Sequence, residues 1–449
     1  MIMQTDCLFI TSSKTRAVQF SVYPYLGVGY LSTILKRKGI TTALYDADVN
    51  RGKLGKLLKE VRRLRPKVIG YSVMSISLPL FYKITLAIRK EFPEIVIVAG
   101  GPHITNDPNI IKDMGVDYGF IGHAEKSFPE FMSRIIDGNM SFDDIDGMII
   151  PKDNRYDKPV HLDVSETDVI PDYSLYKINK YQNIFYGRRW FTMITTRGCA
   201  YNCKFCKDPG KNRYKEYPLD TIKEQLLFLV RQNKLKWISF VDDTFTFNRD
   251  RTIELCNWIK DEGLEFNWTC CTRADTLDEE LIKIMKSAGL HYVIIGVEAG
   301  NEEIRKGINK GISSEDYIKI IDILRDNKVR VLCSYVLCNP NESYEQIYET
   351  ISFSKKLNAN YAQYYNMTAL HQSPIFTYGL QEDIFPENIW TTYMKGETDL
   401  PYYVPNGLEL SKLKKLQKRS FMKYYLQPKK FFDLGTRLVK FFIDITFRN

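Results

Sequence analysis

Twice along its 449 residues this chain alternates short apolar runs with amphipathic helical segments, which confines it to the α/β architectures. The first set of runs is "DCLFITS" (6–12), "TTALYDA" (41–47), "KVIGYSVMS" (67–75), "EIVIVAGG" (94–101) and "VDYGFIGH" (116–123). Between them lie helical patterns such as "GVGYLSTILKRKG" and "LFYKITLAIRKEFP". Strands joined by helices of this length make right-handed βαβ units. Five of them predict an N-terminal doubly wound parallel sheet with its ligand site at the carboxyl ends of the strands.

Residues 140–185 mix charge, Pro and Asp without sustained periodicity and read as a linker with one small hairpin. A second alternation starts at Trp190, with runs at 191–198, 236–243, 265–272, 291–298, 329–337 and 360–367. Six such units fit a partial (β/α)6, TIM-like barrel, whose chemistry belongs at the C-terminal ends of the strands. Those ends carry Cys199, Asp242, Asp243, Arg273, Glu298 and the loop "CNPNES". From Gly407 the pattern is helical, with Leu434, Leu438, Phe441, Phe442 and Ile445 on one stripe. The expected division is 1–139 (doubly wound domain), 140–185 (linker), 186–385 (barrel) and 386–449 (helical extension).

Hydrophobic residues make up 44% of the chain and aromatics 13%, enough for large cores. No apolar run approaches the roughly 18 residues of a membrane span. The start, "MIMQTDCLFITSS", lacks a basic leader region. Nine cysteines, an odd number without a framework spacing, fit reduced thiols and a cytoplasmic location. The net charge of +9 resides in the tail, where eight Lys and three Arg from Ser411 onward face only Asp433 and Asp444. Such a basic amphipathic segment suits peripheral membrane contact or packing on the barrel. No nucleic acid is expected, because the aromatics sit on the apolar face and not among the basic residues.

Three of the nine cysteines, Cys199, Cys203 and Cys206, fall within "TTRGCAYNCKFCKDPG". Thiolates bind soft metals, and one loop after a strand lets three sulfurs converge. Zinc would want a fourth Cys or His nearby, and none lies in the forty residues that follow. A structural thiol cluster, a zinc site with a distant fourth ligand, and an iron–sulfur cluster with one open iron are the candidate readings.

"CAYNCKFC" resembles the Cys-x3-Cys-x-aromatic-Cys signature of the radical S-adenosylmethionine (SAM) superfamily, over roughly residues 190–375. The resemblance implies a [4Fe–4S] cluster held by Cys199, Cys203 and Cys206, with SAM on the open iron. One electron, from a reductant such as flavodoxin or ferredoxin, would cleave SAM to methionine and a 5′-deoxyadenosyl radical. It further implies Phe205 beside the adenine, with Asp242, Asp243, Arg273 and Glu298 about the SAM amino group and ribose. The sequence departs from the family at "CNPNES" (338–343) and "ALHQSP" (369–374), where Gly-containing turns are usual. Either fewer positive-φ positions are needed there or Asn339 and Asn341 supply them, and Cys338 and His371 are then either substrate-end residues or, as the favoured reading, core or loop packing.

The N-terminal segment resembles the cobalamin-binding domain of class B radical SAM methylases. "YPYLGVGYLSTILKRKG" matches their first helix and "VAGGPHIT" their fourth-strand loop, while "IGHAEKSFPEF" keeps Gly122 and Glu125 of a Gly-Glu-x-Glu turn. The resemblance implies cobalamin against Gly100, Gly101 and Pro102, with Ser72 and Ser75 beside them. The Asp-x-His-x-x-Gly ligand motif is missing, and "TSSKTRAVQF" holds no His; His103 could approach the ring. The implied activity is C-methylation of an unactivated carbon on a hydrophobic, lipid-like or ring-containing small molecule. A radical cyclase, rearrangement or C–C bond-forming enzyme with cobalamin absent or non-methylating is the alternative. Methylthiotransferase activity is disfavoured because the N-terminal domain has only Cys7 for a second cluster.

Overall fold

The computed structural model describes residues 5–12, 22–151, 155–156, 160, 164, 169–183, 185, 187–206 and 214–447. Segment 13–20 of "TSSKTRAVQF" and residues 207–213 after the last clustered cysteine lie outside that set.

The five predicted N-terminal strands are Cys7–Ser12 (β1), Thr42–Asp46 (β2), Val68–Val73 (β3), Val96–Gly100 (β4) and Tyr118–Phe120 (β5). They are parallel and ordered β2-β1-β3-β4-β5. The chain crosses from one side of β1 to the other, which creates a switch-point crevice at the carboxyl edge. β1 is buried along its whole length because helices cover both faces, hence its unbroken apolar run Cys7-Leu8-Phe9-Ile10. The sheet does not stop at five. Met148–Ile150 (β6) and Arg155–Tyr156 (β7) add antiparallel strands beyond β5, so the hairpin expected in the linker belongs to a seven-stranded sheet.

The chain continues through the hairpin Gln182–Asn183 (β8) and Gly187–Arg188 (β9) to the first barrel strand, Trp190–Met193 (β10). Thr196–Arg197 (β11) pairs with Lys215–Glu216 (β12) across the cysteine loop. The other barrel strands are Trp237–Phe240 (β13), Asn267–Thr272 (β14), Leu290–Glu298 (β15), Arg330–Leu337 (β16) and Tyr361–Asn366 (β17). With β10 they form six parallel strands in sequential order, the partial barrel that the alternation predicts.

Period-two alternation sorts the barrel's two faces. On β17, Ala362 and Tyr364 are buried outward, and the Tyr364 hydroxyl lies 2.6 Å from Ser354 Oγ on the helix behind it. Gln363 and Tyr365 therefore face the lumen, where Tyr365 stays 48% exposed. The same parity and register put Val241, Cys271, Ile294, Gly296, Ser334 and Val336 on that inner face.

The amino-terminal end of the barrel is closed. Phe185, Tyr292 and Tyr361 form an aromatic cluster there, with centroids 5.1–6.2 Å apart. The tail helix Pro428–Phe447 docks beneath it. Asp433 bonds the Tyr361 hydroxyl and lies 3.5 Å from Arg330, while Arg437 Nη1 donates to the Phe185 carbonyl at 3.0 Å. Of the predicted tail stripe, Leu434 packs on the core, whereas the Phe441, Phe442 and Ile445 side chains lie outside the described residues. No helix among the described residues is long and apolar enough to cross a membrane.

Candidate functional site

The cysteine loop leaves the barrel under firm constraint. Asp242, just beyond β13 on the neighbouring strand, is buried, and its Oδ1 accepts the Thr195 N–H at 2.8 Å and the Thr196 N–H. It also accepts the hydroxyls of Thr195 (3.1 Å) and Thr196 (2.8 Å). Burial pushes the Asp242 acid up to about 6 despite those four donors. Gly198 (φ 75°) then turns the chain into Cys199.

Cys199 Sγ lies 3.5 Å from Thr244 Oγ1. Cys203 is buried, and its Sγ is 3.8 Å from Arg273 Nη1. The loop is pinned from outside: Lys204 N–H donates to the Ile308 carbonyl (3.0 Å), Asn309 Nδ2 to the Asn202 carbonyl (2.7 Å), and Cys206 N–H to the Cys203 carbonyl (3.0 Å). Arg273 is locked by both Asp275 carboxylate oxygens (2.9 and 2.7 Å) and the Lys310 carbonyl (2.9 Å), with its guanidinium 3.8 Å from the Tyr201 ring centroid. Lys310 Nζ is paired with Glu298 Oε1 at 3.2 Å, both buried. Glu298 takes φ 67° at a bulge of β15, and a Cβ on Gly296 would stand 2.1 Å from its Oε1, so a side chain there would displace the Glu298 carboxylate from this position. Burial pushes the Cys203 thiol up, while Lys310 and Arg273 pull it back. Two fixed cations beside Cys203 suit an anionic thiolate-ligated group. Among the described residues no three Cys, His, Asp or Glu side chains converge on a single-ion site. A polynuclear cluster takes each thiolate on a different iron and needs no such convergence.

Phe205 lies half-buried against the core and Asp243 is exposed at the barrel mouth. Sequence reasoning missed Arg197, Tyr201 and Lys310. Arg197 and Tyr201 sat within the cysteine motif itself, while the ion pair of Lys310 with Glu298 left no local signal.

Across the crevice, the residues expected to meet cobalamin serve the domain's own packing as well. Gly101 has φ 96°, and a Cβ there would meet Val73 N at 2.8 Å and Ser72 Oγ at 3.2 Å, so it lets the short helix Pro102–Asn106 close on β3. Gly100 is open, with only ordinary contact at 3.5 Å to the Phe120 carbonyl. Gly122 (φ 76°) lies under Val160, and its N–H donates to Thr105 Oγ1 at 3.0 Å. Ser75 Oγ is 3.0 Å from His103 Nδ1; that ring is fully buried against Trp390 and faces inward. Met74 and Ile76, just past the carboxyl end of β3, expose apolar side chains. Open Gly100 with this apolar rim fits a corrin.

The carboxyl ends of both sheets face this crevice. His371, after β17, reaches the Asn106 carbonyl through Nδ1 at 2.7 Å, so it bridges the domains. Cys338 is fully buried, and burial pushes its thiol up, which places it in packing and not at the substrate end. Positive φ falls on Cys338, Asn341 and Gln372, not on Asn339, whose side chain instead bonds the Glu342 carboxylate and the Val336 carbonyl.

The Radical SAM superfamily model matches residues 193–354 and the B12 binding domain model residues 15–132. An uncharacterized methyltransferase of Pyrococcus horikoshii is 27% identical over 93% of this chain and 91% of its own length. The anaerobic magnesium-protoporphyrin IX monomethyl ester cyclase of Rubrivivax gelatinosus is 26% identical over 76% of the chain, which spans only 64% of that protein. The solved radical SAM methyltransferase TsrM from Kitasatospora setae, with cobalamin and a [4Fe–4S] cluster bound, has the same fold (TM-score 0.68, 18% identity, 83% of this chain and 74% of that one). The cysteine loop at the mouth of a six-stranded partial barrel and the doubly wound sheet facing it place the chain in the radical SAM superfamily, as an enzyme with a B12-binding domain ahead of its barrel.

Proposed function

We propose that the protein is a cobalamin-dependent radical SAM C-methyltransferase acting on an unactivated carbon of a hydrophobic or ring-containing small molecule. The observation that carries this reading is the contact of the carboxyl edge of the N-terminal sheet with the cysteine segment, through Glu125 and Arg197. When bound, the cluster with SAM supplies a hydrogen-abstracting radical and cobalamin supplies the methyl group. The chain's own residues bind and orient. Cys199, Cys203 and Cys206 would hold the cluster, with Arg273 and Lys310 balancing its charge. Glu298, Asp243 and Phe205 would line the SAM side, and Gly100, Met74 and Ile76 the corrin side. The lumen face of Val241, Cys271, Ile294, Val336 and Tyr365, with Gln363 and Ser334 as hydrogen-bonding groups, suits an apolar ring bearing few polar substituents.

The likeness to the cyclase favours a second reading, radical cyclisation without methyl transfer. Anaerobic reconstitution with iron, sulfide, hydroxocobalamin and SAM separates the two. Methyl transfer predicts corrin absorption and S-adenosylhomocysteine accumulating beside 5′-deoxyadenosine; 5′-deoxyadenosine alone overturns it. Cys203→Ala is expected to lose the iron–sulfur band and all SAM cleavage. An external one-electron donor of the flavodoxin or ferredoxin kind would reduce the cluster.

The tail supports peripheral contact with an anionic membrane. Leu426, Phe431 and Phe432 are 63%, 57% and 70% exposed, beside exposed Lys418, Arg419 and Lys423.

A further inference from the structure

Among the described residues, several side chains cross between the two domains, but one of these contacts reaches the segment that carries the cysteines. Arg197 Nη2 lies 2.5 Å from Glu125 Oε1, and the two side chains are only 15% and 10% exposed. Glu125 follows β5 at the carboxyl edge of the N-terminal sheet; Arg197 stands two residues ahead of Cys199. The guanidinium also lies over two tyrosine rings, 5.3 Å from Tyr30 of helix Leu26–Arg37 and 5.7 Å from Tyr217 beyond β12. Its backbone is held by the β11–β12 pairing, next to the Thr196 that Asp242 clamps. A planar fork held by a carboxylate and two rings has little freedom to shift.

We infer that the Glu125–Arg197 pair is a positioning link that sets the separation of the cluster site from the cobalamin site. Tyr23 also packs on Trp190 of β10 and Tyr30 on Tyr217, through ring contacts, and three further crossings are of a different kind. His371 to the Asn106 carbonyl, Tyr393 to the Ile76 carbonyl and Thr391 to Asp113 join the N-terminal sheet to segments after β17, the opposite edge of the barrel from β10. They hold the domains together, whereas Glu125–Arg197 fixes the cysteine loop itself. Charge transfer and group transfer between two bound cofactors depend on such spacing, since a displacement of about 1 Å can cost 100-fold. The inference rests on the cofactor reading above, and its test has one arm that does not.

That arm is hydrogen–deuterium exchange in the full chain without added cofactors. Glu125→Gln and Arg197→Lys are each expected to speed exchange across residues 195–206 by about ten-fold, equivalent to roughly 1.4 kcal/mol of lost protection. Unchanged exchange there in both variants overturns the inference. The second arm uses protein reconstituted with iron, sulfide and hydroxocobalamin, reduced, with the cluster-to-cobalt distance distribution read by pulsed electron paramagnetic resonance. A narrow distribution in the parent protein that broadens or shifts in both variants supports the link. A general loss of stability, by contrast, would lower melting temperature and leave that distribution in place, which also overturns the inference. Parent protein that takes up no corrin defeats the cofactor reading alone, and the exchange arm then decides this one. Arg197→Lys preserves the buried charge balance and serves as the readable variant where Glu125→Gln is insoluble.

Discussion

The Asp242 carboxylate receives the backbone N–H of Thr196, three residues ahead of Cys199, so the second barrel strand fixes where the cysteine loop begins. Asp242→Ala would orphan two buried N–H groups and two hydroxyls, each worth about 1–3 kcal/mol when left unpaired. The expected result is a melting temperature lower by about 5 °C or more, measured by calorimetry, with reduced iron uptake on reconstitution.

The same residue gives a pH signature. Its acid is pushed up to about 6 from an ordinary 3.8, chiefly by burial, with the Thr196 and Thr195 hydrogen bonds opposing. Its contribution to stability is therefore complete below the unfolded value and lost as pH rises through about 6. Asp46, buried and bonded by the Tyr181 hydroxyl, is likewise raised to about 6 and acts in the same direction. Melting temperature plotted against pH should show a decline through that region, and Asp242→Asn, which cannot ionise, should make the decline shallower.

Gly100 and Gly101 separate folding from cofactor binding. Gly101→Ala sets a Cβ 2.8 Å from the Val73 backbone nitrogen at φ 96° and should destabilise the domain by more than about 1 kcal/mol. Gly100→Ala meets nothing nearer than 3.5 Å and should leave the melting temperature within about 1 °C. If the corrin rests on this edge, Gly100→Ala will weaken hydroxocobalamin retention in gel filtration without loss of fold.

The tail calls for a subtler variant than truncation. Removing everything from Phe431 onward deletes Asp433 and Arg437, which tie Tyr361, Arg330 and the Phe185 carbonyl, so a truncated protein should melt earlier for reasons unrelated to lipid. Phe431→Ser with Phe432→Ser changes two exposed rings and spares those contacts. Flotation with phosphatidylserine vesicles should fall several-fold in that double variant, at an unchanged melting temperature.

Much of the architecture was legible because parallel strands covered on both faces carry apolar runs, such as Cys7–Ile10 of β1 and Tyr292–Ile295 of β15. Spacing singled out Cys199, Cys203 and Cys206 as a thiol group, and the resemblance to the radical SAM signature is what implies a cluster there. What local sequence could not convey was pairing at a distance. Asp242 reads as a polar strand end, yet its hydrogen bonds go to Thr195 and Thr196, more than forty residues away. β6 and β7 span three and two residues, too short for any period to emerge, so the sheet looked complete at five strands. In the 338–343 loop Asn341 takes positive φ as expected, whereas Asn339 bonds Glu342 and Cys338 takes the other left-handed position.

The aromatic floor of the barrel, with helix Pro428–Phe447 seated beneath it, bars the amino-terminal end of the lumen. SAM and a methyl acceptor would then have to enter from the mouth that faces the N-terminal sheet or from the unpaired edge between β10 and β17. Entry by the mouth imposes an order. Whatever lies deepest, toward Gln363 and Ser334, enters first and leaves last. A membrane-seated tail, fixed at the barred end, would leave the mouth on the far side of the barrel from the bilayer.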